Sequence, residues 1–463
     1  MTSMLKRLRL YFTSFILALL IASAIALTSC NGNENKQPAE KFQIVHPEWS
    51  DNATIYEVNV RQYTPSGTFT ELKTRIPQIK DLGVKIIWLM PIYPIGEKER
   101  KGSLGSYYAV KDYMAINPEF GTMEEFKDLV KTFHDNGMKV ILDWVANHTS
   151  RDNALIGQHP EWFKQDSTGK ILAPFDWTDV AQLDYSKPEL HDYMIGAMKY
   201  WITEADVDGF RCDVAGMVPT PFWNKARAEL DKIKPVFMLA EAEQPDLQEY
   251  AFDMTYSWDL HHLMNTIAQG KDSVAKLDSF FQKELVRFPK NAFRMVFITN
   301  HDENSWNGTE FERMGAAVKA MGVFSFVVPG MPLIYSGQEV GLSKRLLFFE
   351  KDTILWNESP WTPFYKKMVE LKSTNSALMN GEKGADMFRI KSKNPFVYAF
   401  TRENEGGKVL AVFNFSKEKQ TVTLENEVLA GNYMDWLLGK EVKLESTKEF
   451  TFEPWGFSIF VKK

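Results

Sequence analysis

The sequence predicts an α/β fold: a closed (β/α)8 TIM barrel with a short inserted domain after the third strand and a C-terminal antiparallel β-sandwich. Three observations predict it. Eight short runs of β-branched and apolar residues alternate with segments of helical period, and that alternation implies a parallel sheet with helices outside. About forty residues after the third strand break the rhythm, a length that is usually functional. Beyond residue 379 the pattern changes to short alternating runs separated by turn residues such as Glu405, Gly406 and Gly407, as antiparallel strands require.

Residues 54–62, 84–90, 139–144, 207–213, 236–241, 251–256, 295–299 and 332–336 read as the barrel strands. Apolar residues at helical spacing mark helices at 124–136, 189–205, 221–232 and 310–324 between them. Eight repeats of that unit close a barrel. The interruption at 150–187 is rich in Trp, Pro, Asp and Gly and lacks helical period. Strands at 396–401, 409–415, 420–424 and 457–461 build the terminal sandwich, whose expected role is to shield one side of the barrel, with carbohydrate binding as the alternative. The chain therefore divides into a leader (1–29), a tether (30–48), the barrel (49–149 and 188–379), the insertion (150–187) and the sandwich (380–463).

Three predicted strands run out into acids. Asp213 closes the run from Gly209, Glu241 follows Leu239 and Ala240, and Asp302 follows Asn300 and His301. In a parallel barrel these positions lie at the C-terminal mouth, where chemistry is done. Breaking a glycosidic bond with retention needs one carboxylate to attack the anomeric carbon and one carboxylic acid to protonate the leaving oxygen, roughly 5 to 5.5 Å apart. Asp213 and Glu241, on adjacent predicted strands, can meet that spacing. Arg211 stands two residues before Asp213 and so faces the same side of its strand; its charge is expected to keep Asp213 ionised. Burial and the nearby anions are expected to keep Glu241 protonated. Glu243 points the same way as Glu241 and competes for the acid's role. Asp143 and Arg211 also admit a reading as a buried ion pair fixing the barrel. His148 and His301 among several aspartates admit a metal site, although neither sits in a ligand-spaced cluster.

Composition bounds the rest. A chain of 463 residues with 44% hydrophobic content is globular and long enough for one large core plus smaller units. Its formal charge of −6 offers no basic patch for a nucleic-acid partner. An aromatic content of 13% suits stacking against flat apolar sugar faces, with most of the 13 Trp expected in the core.

At the N-terminus Lys6, Arg7 and Arg9 precede an apolar run at 10–27, then Leu27, Thr28, Ser29 and Cys30. Charge and length make this a secretory signal. Its ending resembles a bacterial lipoprotein box, which is cut before the cysteine and lipidated on the thiol. The expectation is an exported chain, lipid-anchored through Cys30 to a bacterial membrane, at the periplasmic face of the outer membrane or the cell surface. An uncleaved anchor helix and an ordinary signal with an incidental cysteine are the alternatives. The polar stretch 31–40 reads as a tether. Cys212, the other of two cysteines, falls within a predicted strand and is expected as inert packing, so no disulfide framework is implied.

Four segments now stand in order: Asp143 through Asn147 and His148, Gly209 through Arg211 and Asp213, Glu241, and Asn300-His301-Asp302. Together they resemble the signature regions of the α-amylase family of glycoside hydrolases. The resemblance takes in Tyr108 to Tyr113 and Gln182-Leu183-Asp184 and covers residues 50–463. It implies Asp213 as nucleophile, Glu241 as acid and then base, and Asp302 as a third acid that binds the sugar's hydroxyls and helps distort its ring. It implies further that His148 and His301 bind the same sugar, that Tyr108 stacks beneath it, with Tyr107 as the alternative ring, and that Asp143 orients Arg211. Where many members carry a Lys-His pair after the nucleophile, this chain has Gly216 and Met217, which leaves the leaving-group preference open. Asn147 matches a calcium ligand of the family and Asp176, Asp179 or Asp184 could add oxygens, but no complete set is evident and calcium stays unassigned. No organic cofactor is required, since two carboxylates suffice.

The expected function is a retaining α-glucan hydrolase that cuts α-1,4 bonds of starch or maltodextrins through a covalent glycosyl-Asp intermediate. Two alternatives stand beside it. One is a transglycosylating member, in which a sugar hydroxyl beats water to the intermediate. The other is a non-catalytic, membrane-anchored interaction protein of amylase-like fold, a class that lacks the acids present here.

Overall fold

Alternation along short strands sets the barrel wall. The computed structural model describes residues 44–462, so the leader and Cys30 lie outside the described residues. Ten strands come first: β1 (Ile55–Val58), β2 (Ile86–Leu89), β3 (Lys139–Trp144), β4 (His148–Ser150), β5 (Val180–Gln182), β6 (Gly209–Cys212), β7 (Phe237–Ala240), β8 (Met254–Tyr256), β9 (Phe293–Val296) and β10 (Met331–Tyr335). All but β4 and β5 pair in parallel and close a barrel in the order β1, β2, β3, β6, β7, β8, β9, β10 and back to β1. Ile55, Ile86, Ile141, Phe237, Met254 and Leu333 fill its interior. Their neighbours Tyr56, Ile87, Leu142, Met238 and Ile334 pack outward under the helices. With both faces buried, the strands read as nearly continuous apolar runs.

The same alternation places chemistry. Two residues beyond Ile55, Ile86, Ile141, Gly209 and Met254, the inner face carries Glu57, Trp88, Asp143, Arg211 and Tyr256, one layer nearer the mouth. Gly209 is required where it stands. Its φ is +152°, and a Cβ there would lie 1.9 Å from the carbonyl oxygen of Phe237 on the neighbouring strand.

All eight expected barrel strands are present. The first ends sooner than expected because Val60–Tyr63 turns into a helix. Helix Met123–Asp135 starts on a capping box in which Thr122 and Glu125 satisfy each other's backbone amides. The helix expected at 310–324 is instead broken into Glu310–Met314 and Val318–Val327, at Gly315, whose φ is +55°. The insertion carries the antiparallel pair β4 and β5 and one short helix, Leu155–Gln158.

Eight further strands follow: β11 (Met387–Ile390), β12 (Val397–Asn404), β13 (Gly407–Asn414), β14 (Gln420–Glu425), β15 (Gly431–Asp435), β16 (Lys440–Leu444), β17 (Thr447–Phe452) and β18 (Phe457–Lys462). Six form one antiparallel sheet in the order β11, β12, β13, β18, β15, β16, while β14 pairs with β17. One face of the large sheet meets that pair through Val397, Leu410, Val422, Phe450 and Phe460. Its other face packs on the barrel: Tyr398, Phe400, Phe413 and Phe415 surround Phe324. Cys212 is buried and free, as expected. Among the described residues no helix is long and apolar enough to cross a membrane.

Candidate active site

Arg211 is the hub of the mouth. It is fully buried, and its Nη1 donates to Asp143 Oδ1 at 2.9 Å and to Asp213 Oδ1 at 3.2 Å. Nε donates to the Tyr256 hydroxyl at 3.1 Å. Nη2 lies 2.8 Å from Glu241 Oε2, a charge contact whose angle falls outside hydrogen-bond geometry. One guanidinium thus touches three carboxylates at the ends of β3, β6 and β7, and the Trp88 ring backs it at 4.9 Å.

The carboxylates titrate together. Burial pushes Asp213 well up, Glu241 adds to the rise, and Arg211 only partly opposes it. Burial likewise raises Glu241 against the pull of Arg211, with Asp302 adding to the rise. Arg211 pairs with Asp213 as expected, but desolvation and the second carboxylate outweigh the pull of one shared cation. Both carboxyls are thus raised by burial and by the acids crowded beside them, and both are pulled back by Arg211. Val214, directly after Asp213, sits at φ 35° in the left-handed region, rare for a β-branched residue. Its amide donates to Glu241 Oε2 at 2.8 Å, so local strain is tied to the orientation of Glu241.

A second chain of polar groups runs from β1. His301 Nδ1 lies 2.5 Å from Glu57 Oε1, and its Nε2 lies 2.8 Å from the Tyr108 hydroxyl and 3.2 Å from Asp302 Oδ2. Tyr108 in turn donates to Asp143 Oδ2 at 3.1 Å, as does Trp88 Nε1 at 3.1 Å. Burial pulls the His301 imidazole down, but Asp302 and then Glu57 raise it to about 9. It is an imidazolium at neutral pH, with both ring nitrogens donating. His148 is the opposite case: burial lowers it to about 4 and keeps it neutral.

A cavity of about 560 Å³ opens onto this layer. Of the sequence-predicted residues, Asp213, Glu241, Asp302, Tyr108, His148 and His301 line it, with Arg211 and Asp143 buried directly behind. The two competitors fall away. Tyr107 packs beneath Arg61 at 4.2 Å and takes a hydrogen bond from Asn59, outside the cavity wall. Glu243 pairs with Arg294 at 2.9 Å and faces a separate hollow.

The calcium candidates do not make a cage. The Asn147 amide contacts His148 Nδ1 at 3.2 Å, Asp179 pairs with Lys101 at 3.0 Å, and Asp184 accepts from the Ser186 amide. Among the described residues no group of three or more His, Cys, Asp and Glu is placed to hold a metal. Sequence reasoning missed several lining residues: Lys101, Trp177, Trp306, Phe348 and Phe349. It missed Glu57 too, whose signal was an acid between Tyr56 and Val58 at an inward strand position.

With that geometry in view, comparison with known proteins is decisive. Residues 48–170 and 157–395 match the family described as Alpha amylase, catalytic domain. The chain belongs to the α-amylase family of glycoside hydrolases. Residues 389–459 match Maltogenic Amylase, C-terminal domain. Among curated relatives, the Alpha-amylase MalA of Haloarcula japonica is 27% identical over 84% of this chain and 59% of its own length. A Cyclomaltodextrinase of Thermoanaerobacter pseudethanolicus is 27% identical over 84% of this chain and 74% of its own. The chain thus spans less than two thirds of the first of these relatives. Among solved structures, an alpha-amylase from Lactobacillus plantarum matches with 33% identity and a TM-score of 0.81, over 90% of this chain and 100% of that one. The noncanonic maltogenic alpha-amylase AmyB from Thermotoga neapolitana matches with 32% identity and a TM-score of 0.81, over 89% and 99%.

Proposed function

We propose that this family member is a retaining hydrolase of α-1,4-linked glucans, with maltodextrins, starch or cyclic maltodextrins as its substrate class. The contact of one guanidinium with both Asp213 and Glu241 is the observation that carries the reading. The two carboxylates stand at the ends of the adjacent strands β6 and β7, where one can attack the anomeric carbon while the other protonates the leaving oxygen. The names of the relatives support the substrate class.

In this reading Asp213 attacks the anomeric carbon and forms a glycosyl ester, while Glu241 gives its proton to the leaving oxygen. Glu241 then takes a proton from the incoming water, whose oxygen replaces the ester bond and returns Asp213 to the carboxylate. Burial raises Glu241, as an acid that must carry a proton requires, while the Arg211 contact opposes the protonation of Asp213. Asp302 and His301 hold hydroxyls of the sugar being cleaved, Tyr108 lies under its ring, and His148 accepts or donates as a neutral imidazole. Arg211, fixed by Asp143, offsets the negative charge of Asp213 as it becomes the leaving group of the second step.

Chromatography of products from soluble starch, maltoheptaose, cyclodextrin and pullulan, for wild type and Asp213→Asn, tests the reading. Cleavage by wild type that vanishes in the variant supports it. A well-folded wild type that cleaves none of the four contradicts it.

For location, the basic start, apolar run and small residues before Cys30 support an exported, lipid-anchored protein. Equal lipid labelling of wild type and Cys30→Ala would contradict that assignment.

A further inference from the structure

Two hollows meet at Glu241. The main cavity holds Tyr108, His148, His301 and Asp302 on one side of the carboxylate pair. A second hollow, also about 560 Å³, shares only Val214 and Glu241 with it and is otherwise lined by Gly216, Met217, Gln244 and Trp258 among others. An acid that protonates a leaving oxygen must face the leaving sugar. Glu241 faces both hollows, but the groups assigned above to the cleaved sugar line only the main cavity, so that cavity receives the sugars on the non-reducing side of the cleaved bond and the second hollow takes the leaving group.

That main cavity is tied across its rim. Lys101, on the long loop between β2 and β3, reaches Asp179 in the insertion at 3.0 Å. The Lys101 side chain is 36% exposed while Asp179 is 7% exposed, and both line the cavity. The loop carrying Lys101 is itself pinned to the segment after β10. Ser103 donates through its amide to Glu350 at 2.8 Å, and the Leu104 amide donates to the Phe349 carbonyl at 3.0 Å. Arg61 holds the carbonyls of Leu104 and Gly105 from below. Insertion, loop and post-β10 segment thus form one continuous wall, closed by the Lys101 and Asp179 side chains.

We propose that Lys101 and Asp179 form a clasp at the non-reducing end of the cleft that limits how many sugars lie beyond the cleaved one, so that the enzyme trims short units from chain ends. The inference rests on the α-glucan hydrolase reading. A half-exposed ion pair is weak by itself. The restriction comes from where the two side chains stand, on backbone segments anchored independently, and from the desolvated Asp179 carboxylate that Lys101 neutralises. Lys101 and Asp179 line the same cavity as Asp213, His301 and Asp302, so the clasp stands close to the cleaved sugar and the proposal sets the trimmed unit at about one or two sugars.

Maltoheptaose labelled at its reducing end reads this out, because each labelled product reports which bond was cut. For wild type, labelled products short of the parent by one or two sugars are expected to dominate. In Lys101→Ala and Asp179→Ala, cuts leaving three or more sugars on the non-reducing side should rise at least about threefold relative to the shorter ones. Lys101→Met, which keeps the stem and loses the charge, serves as a second variant, and thermal melts establish that each is folded. The charge swap, Lys101→Asp with Asp179→Lys, should restore the wild-type pattern. A bond-cutting pattern unchanged in the folded single variants overturns the clasp, even if their KM rises, since that would make Lys101 an ordinary sugar ligand. Wild type that cuts internal bonds as freely as terminal ones also overturns it. Failure of wild type to cut maltoheptaose at all would overturn the hydrolase reading beneath it.

Discussion

His301 on the loop after β9 is held by Glu57 on β1, with Nδ1 and Oε1 2.5 Å apart and both side chains buried. The carboxylate, two strands away around the barrel, fixes the ring's orientation and, with Asp302, keeps it charged. The folded pKa of about 9 lies above the ordinary 6.5, so the charge is present at neutral pH and is lost as pH rises through about 9. Stability linked to this group follows the same sign: full below 6.5, and lost as pH passes about 9.

Replacing Glu57 by Gln removes one of the two anions that raise His301. The pH at which the His301 ring loses its charge should fall below the wild-type value of about 9, while the ring stays charged at pH 6. An NMR titration of the His301 ring in wild type and Glu57→Gln checks this. A ring titration in the wild-type position would show that Glu57 does not set the charge of His301.

Loss of either acid should cost rate in different ways. Asp213→Asn is expected to lower kcat by on the order of 10⁴-fold or more for every substrate, because no ester can form. Glu241→Gln should cost about 10² to 10⁴-fold with natural glucans and far less with an aryl glycoside whose leaving group needs no proton. Steady-state rates on maltoheptaose and on a 4-nitrophenyl maltoside separate the two.

Gly209 is a stability position. A methyl group there meets the Phe237 carbonyl at 1.9 Å, at a φ of +152° that L-residues avoid. Gly209→Ala should destabilise the barrel by more than the roughly 1 to 3 kcal/mol of ordinary overpacking, visible as a lowered denaturation midpoint with an unchanged m-value.

Phe324 joins barrel to sandwich. Phe324→Ala should cost about 3 to 5 kcal/mol and expose the linkage near residue 380 to limited proteolysis. Deleting 380–463 should leave the face around Phe324 bare and the barrel prone to aggregation; a soluble, fully active truncation would contradict that.

Much of this was legible in the sequence because both signals are local. Period-two burial on two faces gave β3 its expected bounds at Lys139–Trp144, and acids at strand ends located Asp213, Glu241 and Asp302. What stayed hidden depends on partners far along the chain. Strands β16 and β17 read Lys-Glu-Val-Lys-Leu and Thr-Lys-Glu-Phe-Thr-Phe, polar because most of their residues face solvent. Phe348 and Phe349 look like core in sequence, yet they wall the cavity together with Lys101. The titration of Asp213 was misjudged for the same reason: Arg211 was visible beside it, but the depth of burial and the second carboxylate's approach were not.

The most direct measurement is mass spectrometry of the enzyme after brief reaction with 5-fluoro-α-glucosyl fluoride, which forms the ester quickly and releases it slowly. The account predicts a glycosyl adduct on the peptic peptide containing Asp213, absent in Asp213→Asn. Turnover of the reagent without an adduct on that peptide, or an adduct mapped to another carboxylate, would contradict the assignment of Asp213 as the nucleophile of a retaining enzyme.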